Sequence, residues 1–375
     1  MSLSLLNPSL SLPFFFVVFF SSPLKCILSR TLQHDSFPSI LTKVSVADER
    51  SFQRLVEASR GSKVTSISHI KRYFSRFGYL PLQNNTSFSD VFDKGFELAL
   101  VRYQRNLGLL VTGKLDFATL NQIVMPRCGV QDTVHDHHYH GSHSTRHFMY
   151  FPGKPRWARS MPMTLTYAIS PENMIQNLSL REIREAFKRA FSRWASVIPV
   201  SFVEAEDYGF ADIKIGFYSG DHGDGEPFDG VLGVLAHSFS PESGRLHLDA
   251  AETWAVNFRS EKSPVAVDLE SVATHEIGHL LGLSHSTVKE AVMYPSLKPR
   301  DKRAELNLDD IKGVQSLYGS NPNFRFESSL ESDMSANEAS DLGGKSLWFV
   351  GFVMFSLVHI FCLCYGFLGF FFLTF

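Results

Sequence analysis

Apolar positions repeat with two different periods along the middle of the chain, and the change of period marks out its elements. Ile183, Phe187, Ala190, Phe191 and Trp194 recur every three or four residues, the spacing of one helix face. Ser179 with Glu182 forms a capping box in front of that stripe, so a helix is predicted to begin there. Runs rich in β-branched and aromatic residues predict strands at Met163–Ile169, Val200–Glu204, Ala211–Tyr218, Val234–Phe239 and Arg245–Asp249. A last helix is predicted from Leu308 to Tyr318. Asn307 is its cap, and Asp309 and Asp310 lie in the first turn, where the helix dipole favours carboxylates. The pattern implies an α+β domain over residues 151–320, a twisted mixed sheet packed by two long helices.

Residues 47–125 carry helical patterning of their own and predict a small preceding domain. A polar linker at 133–150 follows, with six histidines between His135 and His147. It reads as a solvated, cleavable connector or as a loose metal-binding tract, and it has no dibasic pair. The ends are apolar. Leu10–Phe20 within residues 1–22 reads as a signal peptide, although no positive residue precedes Lys25. Residues 347–375 hold no Asp, Glu, Lys or Arg and are long enough to span a bilayer. Upstream, in the polar linker 321–346, small residues from Ser332 to Ser346 supply attachment sites for a GPI anchor; an uncleaved transmembrane helix is the alternative.

The net charge of −2 argues against a nucleic-acid partner. Of the four cysteines, Cys26, Cys362 and Cys364 lie in or beside the end segments, which leaves Cys128 alone in the body. A lone thiol in a secreted protein has no intramolecular disulfide partner, whereas a thiolate is a strong zinc ligand.

The densest chemistry lies in HEIGHLLGLSH, His275 to His285. Residues four apart on a helix share a face, so His275 and His279 can grip one metal ion with Glu276 beside them as general base. Gly282 can adopt the positive φ that ends a helix sharply and lets the chain bring in His285 as third ligand. Three protein ligands leave one position open for water, as in catalytic rather than structural zinc sites. Met293 follows His285 by eight residues, in Ala291-Val292-Met293-Tyr294-Pro295.

This HExxHxxGxxH pattern with its downstream methionine resembles the metzincins, and specifically the plant-type matrix metalloproteinases without a hemopexin domain. The resemblance runs over about residues 47–320. It implies that Met293 floors the zinc ligands, and that Asp310 holds the freed N-terminus of the mature enzyme, unless it serves only the helix dipole. His222, Asp224, His237 and His247 are implied as a second, structural zinc site, and three imidazoles with one carboxylate make a closed tetrahedral set. A calcium site is implied at Asp229, Asp249 and Glu252 with the carbonyls of Gly230, Leu232 and Val234. There Val231-Leu232 replaces the family's Pro-Gly, and leucine restricts the backbone.

The helical segment, with Phe77-Gly78-Tyr79-Leu80 and the run from Tyr103 to Leu120, resembles the three-helix peptidoglycan-binding-like propeptide of the family. Pro126-Arg127-Cys128-Gly129-Val130-Gln131-Asp132 resembles its cysteine switch, PRCGxPD, which implies Cys128 in the zinc's open position and an Arg127–Asp132 salt bridge. Gln131 departs from the family's proline. The resemblance thus implies a latent, secreted or cell-surface zinc endopeptidase, monomeric, acting on extracellular proteins and favouring an apolar residue after the scissile bond. The strand with Leu235 and Ala236 is implied to pair with extended substrate. A rival reading, a cell-wall glycan-binding or adhesion protein with structural zinc only, draws on the helical segment and the apolar tail. Asn84, Asn85 and Asn177 stand in glycosylation sequons.

Overall fold

The computed structural model describes residues 49–81, 87–132 and 147–325. The expected signal peptide, most of the His-rich linker, the anchor segment and the sequons at Asn84 and Asn85 lie outside the described residues.

Four helices make up the N-terminal part: α1 (Glu49–Val56), α2 (Ile67–Arg76), α3 (Lys94–Asn106) and α4 (Phe117–Ile123). That is one more than the resemblance implies. Asp93 and Asp116 cap α3 and α4 by accepting from Phe96 N and Thr119 N, which satisfies helix donors that would otherwise be orphaned. The α2 and α3 faces meet through Phe74, Phe96 and Tyr103, whose rings pack edge to face. This aromatic core continues into the second part of the molecule through Phe228, Val234 and Tyr294.

The second part holds a six-stranded sheet of β1 (Arg127–Cys128), β2 (Met163–Ile169), β3 (Val200–Glu204), β4 (Ile213–Tyr218), β5 (Val234–Ser238) and β6 (Arg245–Asp249), in the order β1-β5-β6-β4-β2-β3. Only β5 and β6 run antiparallel. The expected strand start at Ala211 shifts to Ile213, because the Asp212 side chain accepts from Thr166 N and Oγ1 instead of joining the ladder. A parallel pair, β7 (Trp254–Ala255) and β8 (Val267–Asp268), leads into the helix that bears the metal motif.

Against the sheet pack α5 (Leu180–Val197), α6 (Leu269–Leu280) and α7 (Leu308–Tyr318). Helix α5 opens with the capping box of Ser179 and Glu182, and its stripe from Ile183 to Trp194 is buried. All twelve residues of α6 are buried, so it runs through the core rather than over it. Asp268 caps it, accepting from Ser271 N. Gly282, at φ +101°, ends the turn; a Cβ there would stand 2.2 Å from Pro155 O. Among the described residues, no helix is long and apolar enough to cross a membrane.

Candidate metal centres and active site

Helix α6 supplies His275 and His279, and the turn at Gly282 brings His285 back toward them. One ligand atom from each of these and from Cys128 lies within 4.8 Å of all the others, and all four residues are buried. His275 Nε2 and His279 Nε2 are 3.1 Å apart, and Cys128 Sγ is 3.4 Å from His279 Nε2. Tetrahedral zinc with N ligands at about 2.0 Å requires ligand spacings of about 3.3 Å.

The outer ring nitrogens set the tautomers. His275 Nδ1 donates to Val292 O at 2.7 Å, His279 Nδ1 to Leu283 O at 2.8 Å, and His285 Nδ1 to Asp132 Oδ1 at 2.7 Å. Each imidazole therefore turns an unprotonated Nε2 inward, and His285 Nε2 has no hydrogen-bond partner among the described residues. Burial holds all three histidines below the usual imidazole range, in the neutral form that binds metal. Burial and the nearby Glu276 push the Cys128 thiol up, so a thiolate in this position requires a cation beside it. The donor set fits zinc.

Both oxygens of Glu276 are buried without a hydrogen-bond partner among the described residues. Burial raises its pKa to about 7, against opposing pulls from Cys128 and Ser238. Met293 packs against α6 at Gly278, where a Cβ would stand 2.2 Å from its sulfur, so the glycine is what admits it. Beside Glu276 a cavity is lined by Leu235, Val272, Tyr294 and Leu297, with Ser271 and Arg303 also on its wall.

The Cys128 segment lies along the edge of β5. Arg127 N donates to Gly233 O and Gly129 N to Ala236 O, while Cys128 N donates across to Pro295 O. The segment is locked by Asp132, which accepts from both terminal nitrogens of Arg127 and from Tyr79 Oη. Burial works to raise the Asp132 pKa, but Arg127 and His285 outweigh it and hold the carboxyl well below the usual range. The Arg127 guanidinium also lies 3.6 Å from the centre of the Phe77 ring.

The second cluster gathers His222, Asp224, His237 and His247. Asp224 Oδ2 lies 2.8 Å from His222 Nε2, 2.7 Å from His237 Nε2 and 2.9 Å from His247 Nδ1. Three ring nitrogens converging on one carboxylate oxygen form a cage that a cation completes, and this set also fits zinc. Among the described residues, no other group brings three or more such ligand atoms equally close. The expected calcium acids are therefore not closed into a cluster. Asp249 accepts from Gly230 N, Glu252 from Leu232 N and Asp229 from Val234 N, and Glu252 Oε2 is left without a partner. Burial raises Asp249 to about 6 and Glu252 to about 8. Such desolvated acids, one with an orphaned oxygen, fit a hard cation once the loop carries its carbonyls inward.

In the uncleaved chain the Asp310 carboxylate accepts from Val292 N, Met293 N and Asn307 N and so supports the methionine turn. Asp309 faces the segment that enters the catalytic part, accepting from Phe148 N at 3.0 Å and from Ser286 Oγ. Sequence reasoning missed the Asp132–His285 and Tyr79–Asp132 contacts, since the partners stand 153 and 53 residues apart with no pattern to join them. Asn177 is exposed, and its amide nitrogen donates to Trp254 O.

Comparison with known proteins agrees with this geometry. The matrixin family model matches residues 156–319, and the peptidoglycan binding domain model matches residues 64–123. The chain is 57% identical over 320 residues to metalloendoproteinase 4-MMP of Arabidopsis thaliana, covering 84% of this chain and 91% of that one. It is 52% identical over 316 residues to metalloendoproteinase 1-MMP of the same plant, covering 83% and 85%. Human matrix metalloproteinase-20 is 42% identical over 220 residues, covering 58% of this chain and 41% of its own. The rival reading of a purely glycan-binding protein is set aside, and the chain belongs to the matrixins, as a zinc metalloendopeptidase of the matrix metalloproteinase type.

Proposed function

We propose that the chain is made as a latent zymogen and, once its N-terminal part is removed, cleaves extracellular proteins with Glu276 as general base. The observation that carries this is the position of Cys128, its sulfur at the fourth corner of the His275, His279 and His285 cluster while its backbone occupies the β5 edge. A zinc ion bound there supplies Lewis acidity to the scissile carbonyl and acidifies water. Substrate main chain replaces the Cys128 segment along β5, and the side chain after the scissile bond enters the cavity of Leu235, Val272 and Leu297. Glu276 takes the proton of the attacking water and delivers it to the amine nitrogen as the C–N bond breaks. Met293 and the hydrogen bonds that His275 Nδ1 and His279 Nδ1 donate to Val292 O and Leu283 O keep the imidazoles in place.

The second cluster serves as a structural zinc site, giving two zinc ions per molecule, and Asp229, Asp249 and Glu252 take calcium. The apolar N-terminus directs secretion, and the C-terminal tail attaches the monomer to the cell surface through a GPI anchor. One experiment tests the central claim. Purified Cys128→Ser proenzyme should hydrolyse peptide without activation, and a hydroxamate chelator should block it. Wild type should need a mercurial. A zinc-loaded, uncleaved Cys128→Ser protein that stays latent refutes the switch.

A further inference from the structure

Of the three imidazoles in the cluster, two have their outer nitrogen held by the catalytic part itself, through Val292 O and Leu283 O. The third is held from outside it. His285 Nδ1 donates to Asp132 Oδ1 at 2.7 Å, and Asp132 belongs to the segment that activation would remove. Asp132 is buried, and its two oxygens also receive Arg127 and the Tyr79 hydroxyl, so the carboxylate is anchored in the helical N-terminal part.

A carboxylate on the outer nitrogen of a metal-binding imidazole fixes its tautomer, orients the ring and makes the inner nitrogen a better donor. We propose that Asp132 is a positioning residue for the catalytic metal: the pro-segment holds the zinc twice, directly through Cys128 and indirectly through His285. The inference rests on the zymogen reading above. It follows that removal of the pro-segment both opens the site and loosens its third ligand, so that the proenzyme retains zinc more firmly than loss of one thiolate alone explains.

Zinc release from the full-length proenzyme into a chromophoric chelator tests this, with the His222, Asp224, His237 and His247 site as an internal reference that Asp132 does not touch. The variants are Asp132→Asn, Cys128→Ser and the double variant. Asp132→Asn should speed release of one zinc by about tenfold or more, both with Cys128 present and in the Cys128→Ser background, and leave the slower zinc unchanged. Acceleration only where Cys128 is present would mean that Asp132 merely seats the thiol, and the proposal falls; unchanged release in both backgrounds overturns it equally.

Asp132→Asn strands a buried arginine, so a second comparison uses Arg127→Gln against Arg127→Gln/Asp132→Asn, where no guanidinium is left unpaired. The same tenfold gap is expected between those two, and its absence also refutes the proposal. A wild-type chain with no zinc on His275, His279 and His285 would instead sink the zymogen reading itself, since both ideas need that metal.

Discussion

Glu276 sits in the middle of a fully buried helix with both oxygens unpartnered among the described residues, an arrangement that costs stability and persists where chemistry uses it. Glu276→Ala should lower turnover by roughly two to four orders of magnitude while zinc content and melting temperature hold or rise. Loss of less than tenfold in a peptide assay would remove Glu276 from the mechanism. Leu232 is the opposite case, a residue in a backbone region that suits glycine, at φ +62°. Leu232→Gly should relieve about 1 kcal/mol of left-handed strain, less whatever the leucine contributes by packing. Equilibrium denaturation would show this as a higher midpoint, and a lower one would mean that the packing dominates.

At the scale of elements, the zymogen reading rests on the strand Arg127–Cys128 and the four residues after it. The segment's hold comes from backbone bonds to Gly233 and Ala236 and from the Arg127–Asp132 pair, whereas position 131 carries an exposed glutamine where the family's proline would fix φ. Gln131→Pro should lower the proenzyme's basal activity and slow alkylation of Cys128, because fewer open conformations compete with the docked one. Faster alkylation would show that proline does not suit this backbone. The elements themselves were largely legible. The Ser179 capping box, the α5 stripe and the Asn307 cap all depend on neighbours within a few positions, and local spacing reports such contacts directly.

Across the whole molecule, the helical part and the sheet share one aromatic core that reaches Phe228 and Tyr294, so the activation proposed above would break packing as well as the approach of Cys128 to the histidine cluster. The acids at the expected calcium loop give a pH dependence with a definite sign. Glu252 is raised from 4.5 to about 8 and Asp249 from 3.8 to about 6, so without calcium the folded state binds more protons than the unfolded one. Stability from these groups is full below about pH 4 and falls as pH rises through 6 to 8. Calcium displaces those protons, so the rise in melting temperature on adding it should be larger at pH 8 than at pH 5.5. Equal rises at both pH values would take these acids out of the calcium site.

The motif HEIGHLLGLSH determined by itself which side chains could hold a catalytic metal, because helical spacing and one glycine suffice to make three histidines converge. Composition and lone-cysteine arithmetic likewise singled out Cys128 before any contact was known. Tertiary structure decided what local spacing could not carry. It assigned Asp310 to the methionine turn and Asp309 to Phe148, two adjacent acids that sequence cannot tell apart because a helix turns them about 100° from each other. It also brought Asp132 onto His285 across 153 residues, a contact made only when two separately patterned parts of the chain pack into one core.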